Sequence, residues 1–490
     1  MNILLGTTEQ IFEQWENFKS DLKHFFQKLG KQKAKERNLE RKSLEARIRN
    51  CTNLLGLYRG NIALKNYLKK LKTEMELLNS FYIASCRHNT YYSDFVSDKV
   101  SLATAKSLQR RDREQRHIQS MMKADGTIVY EQAQVMAEVK QQYVELFTSD
   151  GIDNDSLQYF LQQNGLPKLQ DEQKSKLEEA ITPAEVKKAI HCLQGKKTPG
   201  YDGIPVEFYW LFSDQLCVFL SRLFNLFTSV GYMNNSCYDG VISLLFKGAG
   251  ESHVRENWRP LALLNLDYKI YSKVLALRLE AVMKSLVHPD QTSSVPGRNI
   301  QDSLAHVMCV NNYASEHHID AMILSLDQKA AFDMIEWQYI FKTLSAMNFG
   351  PFFIERLKCI YVPGRTRSLV NVNGFLSEPF NVFRGIRQGC PLSPLLYNIT
   401  SEVVAHYIRI TPLLRGIPLC GTNSRITKYA DDTSLFLIKW SEITEVFGIF
   451  RKFQAASGSR LKFEKTQLLL LGSLKNAIVP QRYAPFVVEK

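Results

Sequence analysis

Tyr429-Ala430-Asp431-Asp432, set between the short apolar stretches 424–428 and 433–438, decides how this chain reads. The flanking runs predict two strands, and the tetrapeptide predicts the tip of a β-hairpin. Adjacent aspartates repel each other. Two of them at a tip make chemical sense if a cation sits there, and a divalent metal serving phosphoryl transfer is the obvious candidate. The plainer reading is a turn that uses Asp for local hydrogen bonding.

Other segments bear on that choice. Met322-Ile323-Leu324-Ser325-Leu326-Asp327 reads as a buried strand ending in a carboxylate, with Ile323, Ser325 and Asp327 on one face. A helix is expected through Phe332-Asp333-Met334-Ile335-Glu336-Trp337. Asp327 and Asp431 would have to meet on adjacent strands of one antiparallel sheet. Carboxylates converging there can hold two Mg2+ ions roughly 3.5–4 Å apart, one activating a primer 3′-hydroxyl and the other steadying a triphosphate. Between them lies Arg384-Gly385-Ile386-Arg387-Gln388-Gly389-Cys390-Pro391-Leu392-Ser393-Pro394, where a glycine lets backbone approach a ligand and prolines open a helix. Upstream, Lys247 and Arg259 are cations that a flexible finger could bring to triphosphate oxygens, or else ordinary surface charges.

The chain has 490 residues, 45% of them hydrophobic, enough for a sizeable core and two or three domains. A net charge of +13 favours a polyanionic partner, nucleic acid before membrane. Nine cysteines include no Cys-x-x-Cys pair, which argues against a zinc knuckle or disulfide framework and for a reducing intracellular compartment. No apolar run reaches membrane-spanning length, and the apolar start Ile3-Leu4-Leu5 lacks a basic region before it.

Residues 8–80 are expected to be helical. Ile11, Trp15, Phe18, Leu22, Phe25 and Leu29 recur at alternating four and three spacing, a heptad-like seam suited to packing or self-association. Lys31, Lys33, Lys35, Arg37, Arg41, Lys42, Arg47 and Arg49 follow, as a solvated or nucleic-acid-facing surface. Arg110, Arg111, Arg113, Arg116 and His117 form a second basic cluster, ahead of a small hairpin with a two-residue loop at Asp125-Gly126. Residues 149–180 read as a connector with one short helix. Thr182-Pro183, with Glu185 behind, caps a helix running to about Leu193.

Together these segments resemble a reverse transcriptase of the non-LTR retrotransposon type, the long interspersed elements. Lys197-Thr198-Pro199-Gly200-Tyr201-Asp202-Gly203-Ile204 is similar to that family's Lys-Ser-Pro-Gly-x-Asp-Gly segment. Residues 258–279 resemble its Trp-Arg-Pro block, and His288-Pro289-Asp290-Gln291-Thr292 with Gly297-Arg298 another. Residues 325–337, 385–394 and 429–432 correspond to its motifs A, B and C, and 458–466 to motif D. The resemblance implies an α+β fold: right-hand polymerase fingers and palm, an antiparallel palm sheet flanked by helices, with an N-terminal α-helical region. It implies 1–125 as basic helical region, 126–180 as hairpin and connector, 181–300 as fingers, 301–475 as palm and 476–490 as a shortened tail.

The resemblance further implies Asp327 and Asp431 as main ligands of two Mg2+ ions, with Mn2+ as substitute, Asp432 as supporting carboxylate and the Gln328 carbonyl as an added contact. Phe332 falls at the steric gate, where a ring collides with a ribose 2′-hydroxyl and so favours deoxynucleotides. Gln388 and Gly389 would meet incoming nucleotide and template, Lys247 and Arg259 the triphosphate, and Lys465 would donate a proton to pyrophosphate. The implied partners are an RNA template, a DNA primer or target and dNTP, without a membrane. The implied location is the nucleus, with a cytoplasmic ribonucleoprotein as the other. Gln328-Lys329-Ala330-Ala331 departs from the family's Glu-Lys-Ala, displacing the lysine by one position. A primer grip, a thumb and a C-terminal Cys/His segment are expected beyond Lys490, and an endonuclease ahead of the helical region; none is visible here. Without a thumb, primer–template would be poorly held. The competing expectations are a nucleic-acid-binding remnant that cannot polymerise and a helical interaction protein using the 11–29 seam.

Overall fold

The computed structural model describes residues 7–89, 117–419 and 421–487. The basic residues Arg110, Arg111, Arg113 and Arg116 lie outside that range. Strands of the two larger sheets are numbered β1 (Asp239–Phe246), β2 (Trp258–Leu264), β3 (Ala321–Leu326), β4 (Arg367–Val372), β5 (Phe375–Leu376), β6 (Phe380–Asn381), β7 (Ile426–Tyr429), β8 (Asp432–Leu437) and β9 (Gln467–Leu471).

The palm sheet runs β7-β8-β3-β9, antiparallel throughout. Side chains alternate across it, and both faces are covered. Met322, Leu324 and Leu326 face the main core. Ala321 and Ile323 face Val310 and Ala314 on the helix Ile300–Glu316. The helix Ser393–Ile410 is buried along nearly its whole length, with Pro394 in its first turn, as the prolines predicted.

The second sheet runs β2-β1-β4-β5, with β6 also on β4. Its β1 and β4 pair in parallel. A strand from within 301–475 therefore joins one from within 181–300. The helix Ser213–Val230 buries Leu216, Phe219, Leu220, Leu223, Phe224 and Phe227, a helical stripe, and stops at Gly231, whose φ of 81° terminates the helix. Thr182 and Glu185 form the expected capping box: Thr182 Oγ1 accepts from the Glu185 N–H and Glu185 Oε2 from the Thr182 N–H.

The N-terminal region departs from expectation in one way, and its seam takes the packing role of the two that its spacing allowed. The helical stretch is two helices, Thr8–Leu57 and Ile62–Asn89, broken at Tyr58–Asn61. The Asn61 side chain caps the second by accepting from the Leu64 N–H. The seam, moreover, packs within the chain. Phe12 meets Phe227, Trp15 meets Phe219, and Phe18 and Phe26 meet Phe208, while Phe25 and Leu29 are exposed. A buried ion pair fixes this docking: Lys19 Nζ lies 2.7 Å from Asp267 Oδ2, which also accepts from Trp15 Nε1 at 2.9 Å. Burial is the largest influence on Lys19 and opposes its charge, but Asp267 together with Cys237, Glu16 and Asp202 outweighs it and holds the ammonium protonated.

Two further differences are local. The hairpin at 121–129 carries three loop residues, since Lys123 N–H donates to Thr127 O and Gly126, at φ 83°, donates to Lys123 O. The connector holds two helices, Asn154–Leu161 and Asp171–Glu178, because Leu157, Phe160 and Leu177 supply apolar faces for the core.

Candidate active site

Asp327 follows the last residue of β3, and Asp432 opens β8. Thr433 lies opposite Leu326, so both carboxylates emerge at the same end of neighbouring strands. Asp431 sits in the two-residue link between β7 and β8, whose last pair is Tyr429 with Asp432. The hairpin predicted from 424–438 is therefore present, and it places Asp431 beside the strand end that carries Asp327.

All three line one cavity of about 580 Å3. The wall also holds Lys247, Arg255, Arg259, Lys329, Lys462 and Lys465, so the acids face a surplus of cations. Burial raises the Asp431 pKa, and the Asp327 charge adds to that. Asp432 is raised by burial and by its two acidic neighbours. Lys247 is pushed the other way, by burial and then by Lys465, Lys462 and Arg259. Such a site favours an anionic ligand beside the cations and a cation between the acids.

Aspartate oxygens are the hard donors that Mg2+ takes, and burial, with mutual repulsion behind it, raises two of the three acids, so the donor set fits a divalent cation. The set is not gathered in advance. Among the described residues no three His, Cys, Asp or Glu side chains stand at metal-ligand spacing. One reason is visible: Lys465 Nζ lies 3.1 Å from Asp327 Oδ2 and pairs with it.

Each remaining predicted residue lies on the same cavity, several with other work as well. Phe332 is half-buried and stacks on Tyr397 of the helix Ser393–Ile410. Gln388 Nε2 donates to Asp333 Oδ2 at 2.9 Å, and its carbonyl accepts from the Ala262 N–H of β2. Gly389 has φ 112°, and a Cβ there would stand 2.7 Å from the Ala262 carbonyl oxygen, so it also serves to seat the loop against β2. Lys247 Nζ donates to the Glu256 carbonyl at 2.6 Å, and Arg259 is exposed on β2.

Sequence reading missed several participants. Lys462 N–H donates to the Asp327 carbonyl at 2.8 Å, in the bridge where 328–329 pair with 460–461. Asp333 is fully buried, and desolvation raises its pKa to about 7 against the pull of Arg255 and Gln388. Arg255 joins the wall without a spacing that announces it, and Lys329, the displaced lysine of the motif, lines it as well. Other residues quoted from the motifs are structural: Asp202 N–H donates to Asn265 Oδ1, and Trp258 Nε1 to the Ser252 carbonyl. Beneath the hairpin, Arg409 grips Asp290 through two nitrogens, at 2.6 and 2.8 Å, and Glu402 at 2.6 Å.

Fingers hairpin, antiparallel palm sheet and acids at one strand end define a right-hand polymerase fold. Residues 247–484 match the family described as reverse transcriptase (RNA-dependent DNA polymerase). A Xenopus laevis protein, "Transposon TX1 uncharacterized 149 kDa protein", is 33% identical over 379 residues, covering 77% of this chain and 28% of its own. The RNA-directed DNA polymerase from mobile element jockey of Drosophila melanogaster is 27% identical over 300 residues, 58% of this chain and 31% of that protein. An apo telomerase from Candida tropicalis aligns over 48% of this chain and 50% of its own with a TM-score of 0.35 and 14% identity. Residues 247–484 form a reverse transcriptase domain of the kind carried by non-LTR retrotransposons. The chain spans under a third of the length of the two transposon relatives just named.

Proposed function

We propose that this chain extends a primer 3′-hydroxyl with dNTPs on an RNA template. The observation that carries the reading is the placement of Asp327, Asp431 and Asp432 around one end of neighbouring strands, in a cavity that six Lys and Arg side chains also line. Two Mg2+ ions, held by Asp327 and Asp431 with Asp432 in support, would supply activation of the hydroxyl and charge neutralisation at the triphosphate. The chain's own groups do the rest. Lys247, Arg259 and Lys462 attract and orient the triphosphate oxygens. Phe332, held flat by Tyr397, presents its ring to the sugar. Gln388 and Gly389, fixed by Asp333 and Ala262, form the wall against which the base pair rests. Lys465 gives its proton to the departing pyrophosphate once it leaves Asp327. Nuclear residence belongs to this reading.

The test is incorporation of dNTP on a primed RNA, comparing the native chain with Asp431→Asn at several Mg2+ concentrations. The expected result is Mg2+-dependent incorporation by the native chain alone. Equal incorporation by both, or none by either, overturns the polymerase reading.

A second reading, a nucleic-acid binder without polymerisation, is favoured by one feature. Between residues 28 and 79 the helical hairpin carries fourteen Lys and Arg against five Glu, and most of those side chains are exposed. In that case RNA binding persists in Asp431→Asn and weakens steeply with salt.

A further inference from the structure

Gln291 is 1% exposed and makes both hydrogen bonds available on Ala430. Its Oε1 accepts from the Ala430 N–H at 3.0 Å, and its Nε2 donates to the Ala430 carbonyl at 3.2 Å. The backbone beside it sets this up. Lys428 N–H donates to Asp290 O at 2.8 Å and Thr292 N–H to Lys428 O at 3.1 Å, a short parallel bridge along the free edge of β7. The Gln291 carboxamide continues that ladder one step further, standing where a peptide group of another strand would stand. Gln291 is itself held: its Oε1 also accepts from the Ser293 N–H, and the Ser293 carbonyl accepts from Asn398 Nδ2.

Ala430 needs such a partner. Its φ is +56°, whereas that of Asp431 is not positive. A positive φ at the first central residue alone is the pattern of a II′ hairpin turn, whose first position ordinarily takes glycine. An alanine there is strained, and strain of this kind persists only where surroundings hold it. The grip on the Ala430 carbonyl fixes the plane of the Ala430–Asp431 peptide, and that plane sets the direction in which the Asp431 side chain leaves the backbone.

We propose that Gln291 is a positioning residue for Asp431, acting through the backbone of Ala430 and touching neither substrate nor metal. A neutral carboxamide suits the place because it offers one donor and one acceptor. A carboxylate would lose the donor and add negative charge beside Asp431 and Asp432. A methionine would fill the volume and offer neither.

The kinetic part of this proposal rests on the polymerase reading; its structural part does not. The test compares the native chain, Gln291→Met and Gln291→Glu. Gln291→Met is expected to lower kcat about ten-fold or more, since small misplacements of a reacting group cost that much, with KM for dNTP and Kd for primer–template within about two-fold of native. Amide exchange resolved to single residues should be about ten-fold faster at Ala430 and unchanged at Leu324 and Leu435 in the sheet interior. Gln291→Glu should keep the Ala430 amide protected and still lose kcat, and it carries the test if the methionine variant does not fold. Native-like kcat in either variant, or unchanged exchange at Ala430 in Gln291→Met, overturns the proposal. If the native chain itself incorporates nothing, the polymerase reading falls and Ala430 exchange alone decides on the clamp.

Discussion

Phe332 lies face to face with Tyr397, the ring centroids 4.9 Å apart and the planes 17° from parallel. The two rings come from different elements, one after β3 and the other from the helix Ser393–Ile410. A ring backed in this way cannot swing aside to admit a larger sugar. Phe332→Val is expected to raise ribonucleotide use relative to deoxynucleotide use by about ten-fold or more, the scale of discrimination that a few buried carbons provide. Tyr397→Leu keeps apolar volume but removes the flat support, and should relax selectivity part of the way. Competition assays with paired rNTP and dNTP check both; unchanged sugar preference in Phe332→Val removes the gate assignment.

Lys465 pairs with the carboxylate that is proposed to take a metal. Lys465→Met should therefore do two things at once. It should lower kcat by about a hundred-fold, within the range for losing a positioned proton donor, and lower the Mg2+ concentration giving half-maximal rate, because Asp327 is freed. A magnesium titration of single-nucleotide incorporation reads both. A rate equal to native would make Lys465 an ordinary surface cation.

The Lys19–Asp267 pair is buried on both sides, at 2% and 0% exposure. Removing one partner strands the other, so Lys19→Met is expected to cost roughly 3–5 kcal/mol in urea unfolding. Lys19→Met combined with Asp267→Leu should recover most of that, since neither charge is then left in the core. A single-variant loss below about 1 kcal/mol, the size of an exposed pair, would contradict the docking described for the first helix.

Asp333 predicts a pH dependence of stability. Its folded pKa is raised to about 7, so the folded chain binds a proton there that the unfolded chain, near 3.8, releases. This contribution is full below pH 3.8 and is lost as pH rises through about 7. Asp333→Asn lacks it. The difference in stability, Asn variant minus native, should grow between about pH 4 and pH 7 and level off above. Parallel denaturant curves across that range check it; a constant difference would place the titration elsewhere.

Sequence carried the local parts of the structure well. The hairpin at 424–438, the strand ending at Asp327 and the Thr182–Glu185 box are each written in contiguous residues, and each is present. Gly60-Asn61, a turn pair with a capping residue, was also legible, but it was read through as part of one helical stretch over 8–80. What was not legible depends on distance along the chain. Trp15 and Lys19 meet Asp267 across some 250 positions, so a stripe that packs on the fingers looks the same as one meant for another molecule. Gln291 stood in the quoted 288–292 block, but its role was not legible, because its partner is backbone, and backbone has no residue type to recognise. Lys329 and Lys462 reach the cavity only because a two-residue bridge brings their segments side by side.

One consequence follows from the placement of β1. It is an interior member of its sheet, between β2 and β4, yet it ends at Phe246, one residue before the stretch that matches the family. A fragment cut to the borders of that match would discard the rib on which the fingers are built, together with the aromatic helix Ser213–Val230 and the anchoring tryptophan at position 15. Anyone trimming this chain for expression should treat those borders as marks of kinship, and let the hydrogen-bond ladder decide where to place the scissors.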